Sequence, residues 1–379
     1  MVKLISSYLI ITILIFFLIP MAIGVSLKSP PKGVRLNLIE KSGEFIVVIS
    51  WYTESKVDEP KVKYWEESSF MTAREVIPTV DKVNGYYFYS AELSNLKYDT
   101  KHYYQVFSDS LNKRGTMSFT TLPKEPRELK FVVIADTARE YFTLESELLA
   151  KNIFEFIEKN EEDIDFFIHC GDLLKDPNNS SQWKEYFEYS EKLASNKFGL
   201  YVEGDHDIEK DKGLLYEYVN LNGPSYSLEF GDLVSFVSFS TEREFDYEWI
   251  SNKLQESKSQ WKIVLIHTPL YHTLTYRPDR NLELAEYFRE FDVDVIFTGH
   301  SHYYERMYVN GSYYITSPKS GAGTIRKSSD YEPRSYSQYF NNTPGYLSVK
   351  LYANKLVLKA YGYNEKVSQC FQFEKKIIY

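Results

Sequence analysis

The chain has 379 residues, of which 43% are hydrophobic and 26% charged, and its formal net charge is −9. This length and apolar content suffice for two domains that each bury a core. The net charge is negative, and the sequence has no run of lysines and arginines that could bind along a phosphate backbone. Nucleic acid is therefore not expected as a partner. The two cysteines, Cys170 and Cys370, lie far apart in unlike contexts, so no disulfide framework is predicted.

The N-terminal 27 residues contain an uncharged apolar stretch, residues 4–25, which follows Lys3. A cleaved signal has an apolar region of about 7 to 15 residues, whereas a spanning helix needs about 20. The stretch fits an anchor slightly better, although Ala22 to Gly24 offers a small-residue cleavage site. Residues 1–27 are therefore predicted to be a signal peptide or a membrane anchor, and the remainder to be exported, as a secreted or anchored extracellular protein.

Short apolar runs separated by turns fill residues 33–122, among them EFIVVISWYT, GYYFYSAEL and KHYYQVFS. Strands of this length and spacing indicate a small all-β sandwich of the fibronectin III or immunoglobulin type. This segment contains no cluster of residues typical of a metal site or a nucleophile. Pro123 and Pro126 then end the unit, because proline cannot continue a central strand.

Apolar strands alternate with amphipathic helices in residues 128–379, and helices are expected over 144–160, near 182–195 and near 282–291. The strands are continuous apolar runs, such as LKFVVIAD and VDVIFTGH, which indicates a sheet covered on both faces. The segment is therefore predicted to be an α/β domain with sheets flanked by helices. Residues 346–363 are expected to close it as an antiparallel hairpin.

Polar residues that can ligate metals follow the ends of these strands. They are Asp136, Asp172, Asp205, His206, His267, His300 and His302. Ligands bind at this edge of an open α/β sheet, and the intervals match one or two strand-helix-strand units of roughly 30 residues. Carboxylates and imidazoles suit zinc, manganese and iron. Each residue alone has another interpretation, such as a helix cap or a turn, but their common position favours a metal site.

Four segments carry a more specific pattern. They read GD at 171–172, GDHD at 204–207, LIHTPLYH at 265–272 and GHSHYYER at 299–306. In this order they resemble the motifs of the calcineurin-like metallophosphoesterase superfamily, and the last resembles the Gly-His-x-His-x-Tyr-Glu-Arg motif of its purple acid phosphatase branch. The N-terminal sandwich is similar to the fibronectin III-like domain of that branch. The resemblance spans about residues 33–379 and implies an exported acid phosphatase-like phosphomonoesterase that uses a metal-activated hydroxide.

The resemblance also implies a role for each strand-end residue. Asp136 and His302 would bind a first metal, and Asp172 would bridge two metals about 3.5 to 4 Å apart. The ligands implied for the second metal are Asp205, His267 and His300. The expected cofactor is thus a pair of divalent ions, of manganese, zinc or iron.

Outside the metal ligands, the resemblance makes His206 the catalytic residue that stabilises the transferring group or protonates the leaving oxygen. Arg277, on a loop that matches no motif, is a candidate for binding substrate phosphate. The motif's last two residues, Glu305 and Arg306, are interpreted as an ion pair that fixes the loop.

Three positions depart from the branch pattern. Ala138 stands at the glycine of Asp-x-Gly, Lys175 stands where the branch has the tyrosine that binds iron(III), and Asp205 replaces an asparagine. A protonated lysine cannot ligate a metal, so the first site keeps fewer ligands than the family pattern. Two alternatives to a phosphomonoesterase therefore stay open: a phosphodiesterase, and a non-catalytic ectodomain that binds phosphate or metal.

Overall fold

A computed structural model describes most of the chain. The described residues are 30–41, 43–66, 70–108, 113–138, 144–208, 214–219, 221, 223–274, 281–321, 331–332, 334–363 and 366–375. The expected signal or anchor at residues 1–27 and the candidate Arg277 lie outside them. Among the described residues, no helix combines the length and the apolar character needed to cross a bilayer.

Strands dominate the described residues. They are β1 (Lys32–Lys41), β2 (Glu44–Thr53), β3 (Lys61–Glu66), β4 (Arg74–Val76), β5 (Thr79–Val83), β6 (Tyr86–Leu93), β7 (Lys101–Phe107), β8 (Met117–Thr120), β9 (Glu128–Ile134), β10 (Phe166–His169), β11 (Phe198–Tyr201), β12 (Ser225–Phe230), β13 (Val234–Phe239), β14 (Trp261–Leu265), β15 (Val295–Thr298), β16 (Tyr304–Val309), β17 (Ser312–Thr316), β18 (Ser337–Asn341), β19 (Gly345–Tyr352), β20 (Lys355–Gly362) and β21 (Val367–Glu374). The tail forms the expected hairpin, in which β19 and β20 pair antiparallel.

Helices lie between the strands of the second half. They are α1 (Leu144–Asn160), α2 (Ser180–Ala194), α3 (Leu214–Val219), α4 (Tyr247–Glu256) and α5 (Leu282–Glu290). The three helices expected from the sequence are confirmed, whereas α3 and α4 were not anticipated. Asn179 caps α2, because its side chain accepts a hydrogen bond from the backbone of Ser181.

Two large sheets form the centre of the α/β part. The first has ten strands in the order β21-β20-β19-β9-β10-β11-β1-β2-β6-β5, and the second has seven in the order β12-β13-β14-β15-β17-β16-β18. Strands β9, β10 and β11 are parallel neighbours in the first sheet, and β14 and β15 are parallel neighbours in the second. The carboxyl ends of these five strands carry the residues singled out from the sequence.

The two sheets pack face to face through aromatic side chains. Phe131 of β9 stacks on Phe166 at 5.0 Å and meets Phe236 of the other sheet edge-on at 5.8 Å between ring centroids. The outer faces are covered by α1 and α2 on the first sheet and by α4 and α5 on the second. Residues 131 to 134 of β9 alternate between the two buried layers, which explains why the strand is apolar throughout.

The N-terminal residues form the predicted strand-rich domain, but one of its sheets is not separate. Strands β4, β3, β7 and β8 make a four-stranded sheet, whereas β1, β2, β6 and β5 extend the ten-stranded sheet. The join is a parallel pairing of β1 with β11, in which Leu36 lies opposite Phe198. The guanidinium of Arg35, which is 1% exposed, also donates to the carbonyl of Tyr218 in α3. Hydrogen bonds therefore cross the predicted domain boundary.

Both cysteines are free thiols, Cys170 in the buried core and Cys370 on the surface. Stability therefore rests on the packed layers described above.

Candidate metal centre

The sheet topology brings together residues that are far apart in the sequence. Asp136, Asp172 and Asp205 follow β9, β10 and β11, which are adjacent in one sheet. His267 follows β14, and His300 with His302 follows β15, in the facing sheet. Because parallel neighbours end at the same edge, the two sheets present their polar residues to one another across a single cleft.

Six of these residues form two groups in which the candidate ligand atoms all lie within 4.8 Å of one another. One group is Asp172, Asp205, His267 and His300, and the other is Asp136, Asp172 and His302. Asp172 is common to both. This division coincides with the two ligand sets inferred from the resemblance, and the ligand roles themselves stay a prediction.

The backbone at four of these residues is left-handed, which is uncommon outside glycine. The φ angles are 54° at Asp136, 56° at Asp172, and 65° at both His300 and His302. Such conformations cost free energy and persist where the surroundings hold them, and functional sites are where they cluster. His300 and His302 share this conformation and belong to different groups.

The first group contains a buried acceptor that needs a positive partner. Asp136 is fully buried, and one carboxylate oxygen, Oδ1, accepts from the backbone N–H of His300 at 3.0 Å. The other, Oδ2, has no hydrogen-bond partner among the described residues. Burial raises the pKa of this carboxyl well above its ordinary value, and the negative charge of Asp172 acts in the same direction. A cation beside Oδ2 would satisfy the acceptor, so the residues fit a metal ion.

His267 is oriented toward the second group by a backbone carbonyl. Its Nδ1 lies 2.6 Å from the carbonyl oxygen of Cys170, and a carbonyl can only accept, so Nδ1 carries a hydrogen. Nε2 therefore faces the carboxylates of Asp172 at 3.4 Å and Asp205 at 3.0 Å. Metal-ligating histidines commonly donate their other N–H to a carbonyl in this way.

The electrostatics of this group also favour a cation. Burial opposes the charged form of His267, but the Asp172 and Asp205 carboxylates outweigh burial and raise its pKa well above the ordinary value. Burial likewise opposes ionisation of Asp205, but hydrogen bonds from His267 and His300 hold its pKa well below the ordinary value. The carboxylates thus require positive charge at these imidazoles, and either protons or a metal ion can supply it.

Asp207 organises the loops, a role the sequence analysis did not assign. Its Oδ2 accepts from the backbone N–H groups of Asp172 at 2.7 Å and Gly204 at 2.9 Å. Its Oδ1 accepts from the N–H groups of Leu173 at 3.0 Å and Leu174 at 3.4 Å. One buried carboxylate therefore joins the loop after β10 to the loop after β11. The signal in the sequence was the final aspartate of GDHD.

His206 lies at the rim of the centre and belongs to neither group. Its backbone N–H donates to Oδ1 of Asp172 at 2.9 Å, which fixes the residue beside the shared carboxylate. Its Nε2 lies 3.0 Å from Nζ of Lys175. The imidazole thus faces the lysine rather than the candidate metal ligands.

The expected ion pair between Glu305 and Arg306 is wrong. Glu305 accepts hydrogen bonds from Ser337 at 2.7 Å and Thr273 at 3.3 Å. Arg306 donates to Gln369 at 2.9 Å and lies on the ring of Phe371. Successive residues of a strand point to opposite faces of the sheet, so two neighbours in β16 cannot pair with each other.

Comparisons with known proteins agree with the order of these elements. Residues 31–121 match the family described as Purple acid Phosphatase, N-terminal domain, and residues 129–304 match Calcineurin-like phosphoesterase. The solved structure of purple acid phosphatase PPD1 from yellow lupin covers 92% of this chain and 75% of its own, with a TM-score of 0.78 at 17% identity. The fold is therefore that of a metallophosphoesterase.

Comparison with individual curated proteins indicates which kind of phosphoesterase the chain is similar to. Purple acid phosphatase 1 of Ipomoea batatas is 26% identical over 73% of this chain, and Fe(3+)-Zn(2+) purple acid phosphatase 12 of Arabidopsis thaliana is 24% identical over 69%. The alignments span 65% and 61% of the two relatives' own lengths. Residues 129–304 thus resemble a calcineurin-like phosphoesterase domain, residues 31–121 resemble the N-terminal domain of purple acid phosphatases, and both of these relatives are purple acid phosphatases.

Proposed function

We propose that the chain is a metal-dependent phosphatase that hydrolyses phosphate monoesters at the centre described above. The observation that carries the proposal is the pair of ligand groups that share Asp172, with all atoms of each group within 4.8 Å. A carboxylate common to two groups is the arrangement expected of a two-metal hydrolytic site. The family matches and the names of the relatives support the same activity.

The proposed ligands of one ion are Asp136, Asp172 and His302. Those of the other are Asp172, Asp205, His267 and His300. Two divalent ions held there would polarise a phosphate oxygen and lower the pKa of a water molecule, the chemistry that metal ions supply to phosphoester hydrolysis. The protein's own contribution is to fix these side chains: Cys170 orients His267, and Asp207 holds the backbone that presents Asp172 and Gly204.

His206 is the proposed catalytic residue outside the ligand sets. Its backbone is fixed on Asp172, while its side chain is only partly buried. An imidazole at the rim of a metal centre can donate a hydrogen bond to a phosphoryl oxygen or to the leaving oxygen.

We propose that the protein acts outside the cytoplasm, on the basis of the apolar residues 4–25, which a signal or an anchor would require.

The experiment combines metal analysis with hydrolysis of an aryl phosphate. Asp172→Ala should abolish turnover and lower the metal content to at most one ion per chain, because the shared carboxylate serves both groups. Asp232→Ala, at an exposed aspartate of the turn between β12 and β13, is the matched control and should keep both properties.

Three results would contradict parts of this proposal. Wild-type protein that holds metal but turns over neither monoesters nor diesters supports the non-catalytic ectodomain. Faster turnover of a bis-aryl phosphate than of the aryl phosphate supports a phosphodiesterase. Retention of two tightly held ions by Asp172→Ala would show that this residue is not the bridge.

A further inference from the structure

Lys175 places an ammonium group at the rim of the metal centre. Its Nζ lies 3.0 Å from Nε2 of His206, a residue 31 positions further along the chain. The start of the side chain is fixed, because the backbone N–H groups of Lys175 and Asp176 both donate to Oε1 of Gln182, at 3.0 and 3.1 Å. The lysine is exposed, so its charged end faces solvent at the opening of the cleft.

The contact between Lys175 and His206 determines which hydrogen-bond donors of the two side chains remain available to a ligand. An ammonium has three donors and no acceptor, so Nε2 of His206 must accept in this contact and a neutral His206 carries its hydrogen on Nδ1. Two hydrogens of the ammonium remain for another acceptor. The structure records no carboxylate partner for Lys175 among the described residues, so within that part of the chain its charge is not neutralised by an ion pair.

We propose that Lys175 and His206 form a phosphate-binding pair that makes the site selective for dianionic phosphate monoesters. This inference rests on the proposed phosphatase function, since it names two residues that would select the monoester at the same site. The backbone N–H of His206 donates to the shared carboxylate of Asp172 at 2.9 Å. A phosphoryl group bound at the metal centre therefore lies beside the pair. The ammonium then donates to a phosphoryl oxygen, while Nδ1 of His206 offers a second donor.

Charge explains the selectivity. A phosphate monoester carries a charge of about −1.5 to −2 near pH 7, because its second pKa is about 6, whereas a diester carries −1. The Coulomb attraction to a fixed point charge scales with the charge of the ligand. An ammonium therefore favours the monoester over the diester.

The test uses inorganic phosphate as the binding probe and metal-loaded full-length protein. Lys175→Met should weaken phosphate binding, measured by calorimetry, by about 10-fold to 100-fold, the usual loss for a hydrogen bond to a charged group. Lys175→Arg should recover most of the affinity because it keeps the charge. Lys192→Met is the matched control: this lysine of α2 is 80% exposed and pairs with Glu158, so its loss should leave phosphate binding unchanged.

A kinetic arm measures the selectivity. In Lys175→Met, kcat/KM for an aryl phosphate should fall by about 10-fold to 100-fold and that for a bis-aryl phosphate by about 3-fold to 10-fold, while the metal content stays at the wild-type value. Unchanged phosphate affinity in Lys175→Met, or equal losses on both esters, overturns the inference. If the wild-type protein binds phosphate through Lys175 but turns over neither ester, the proposed function falls and the phosphate-binding pair stands.

Discussion

Oδ1 of Asp205 lies 3.0 Å from Nε2 of His267, the ring nitrogen that the Cys170 carbonyl turns toward the centre. The same oxygen lies 2.8 Å from Nδ1 of His300. A single carboxylate oxygen thus serves both histidines of one ligand group, at the position where the purple acid phosphatase branch has an amide.

Replacing Asp205 with asparagine should weaken retention of the second ion by about 10-fold to 100-fold in affinity, the range found when a group supporting a metal site is lost. The amide keeps the shape but removes the negative charge that both imidazoles face. Chelator competition followed by metal analysis measures the effect. Asp232→Asn, at an exposed turn, is the control. Equal metal retention in Asp205→Asn and wild type would show that the added carboxylate is not a ligand.

His206→Ala should separate catalysis from metal binding. We expect wild-type metal content and a kcat lower by about 10²-fold to 10⁴-fold, because the imidazole donor is lost while the backbone bond to Asp172 remains. Steady-state kinetics and elemental analysis of the same preparation provide both readouts. Loss of a metal ion in this variant would instead make His206 a ligand.

The purified protein should be colourless. A visible charge-transfer band requires a phenolate on iron(III), and the position that supplies this phenolate in the branch is Lys175, whose Nζ points to His206. An absorption spectrum of the protein as purified, before any metal is added, tests this. The chain has 33 tyrosines, so a purple preparation would contradict the prediction and direct the search to a tyrosine near Asp136 and His302.

Glu305 should make the stability of the fold depend on pH. Burial raises its pKa from the ordinary value of 4.5 to about 7, against hydrogen bonds from Ser337 and Thr273 that favour the charged form. A carboxyl whose pKa is higher in the folded state stabilises the fold below its unfolded pKa and loses that contribution as the pH rises through about 7. The lost stability amounts to about 3 kcal/mol, at about 1.4 kcal/mol per pKa unit.

Denaturant unfolding of wild type and Glu305→Gln at pH 5 and pH 8 measures this contribution. The amide cannot ionise, so the wild type should lose about 2 to 3 kcal/mol relative to the variant over this interval, slightly less than the full contribution because part of it is already lost at pH 5. Glu290→Gln, at the exposed end of α5, should follow the wild type. Parallel curves for wild type and Glu305→Gln would mean that Glu305 ionises in the fold without penalty.

The parts of the fold that follow from local patterns could be predicted from the sequence. Continuous apolar strands and amphipathic helices identified the α/β part, and polar residues at strand ends identified the cleft, because parallel strands end at a common edge. Helix α3 was not predicted because six residues are too few to show a helical period. The role of Asp207 was not predicted because its hydrogen-bond partners are backbone N–H groups, which carry no signature in the sequence.

Other features depend on tertiary contacts that residue patterns do not encode. The contact between Lys175 and His206 joins two loops, and only the folded geometry reveals it. The Glu305 and Arg306 error had a different origin, since opposite charges at adjacent positions suggested a pair that the pleat of a strand forbids.

The parallel pairing of β1 with β11 has a practical consequence for dissecting the protein. A chain shortened to begin at residue 128 would retain the candidate ligands but would leave one side of β11 without its backbone partner, at Phe198 and Gly199. An open, apolar strand edge in the middle of what had been a continuous sheet recruits other chains. The N-terminal strands therefore cover an edge of β11 that would otherwise be open to pairing with other chains, and a chain that lacks them is expected to self-associate.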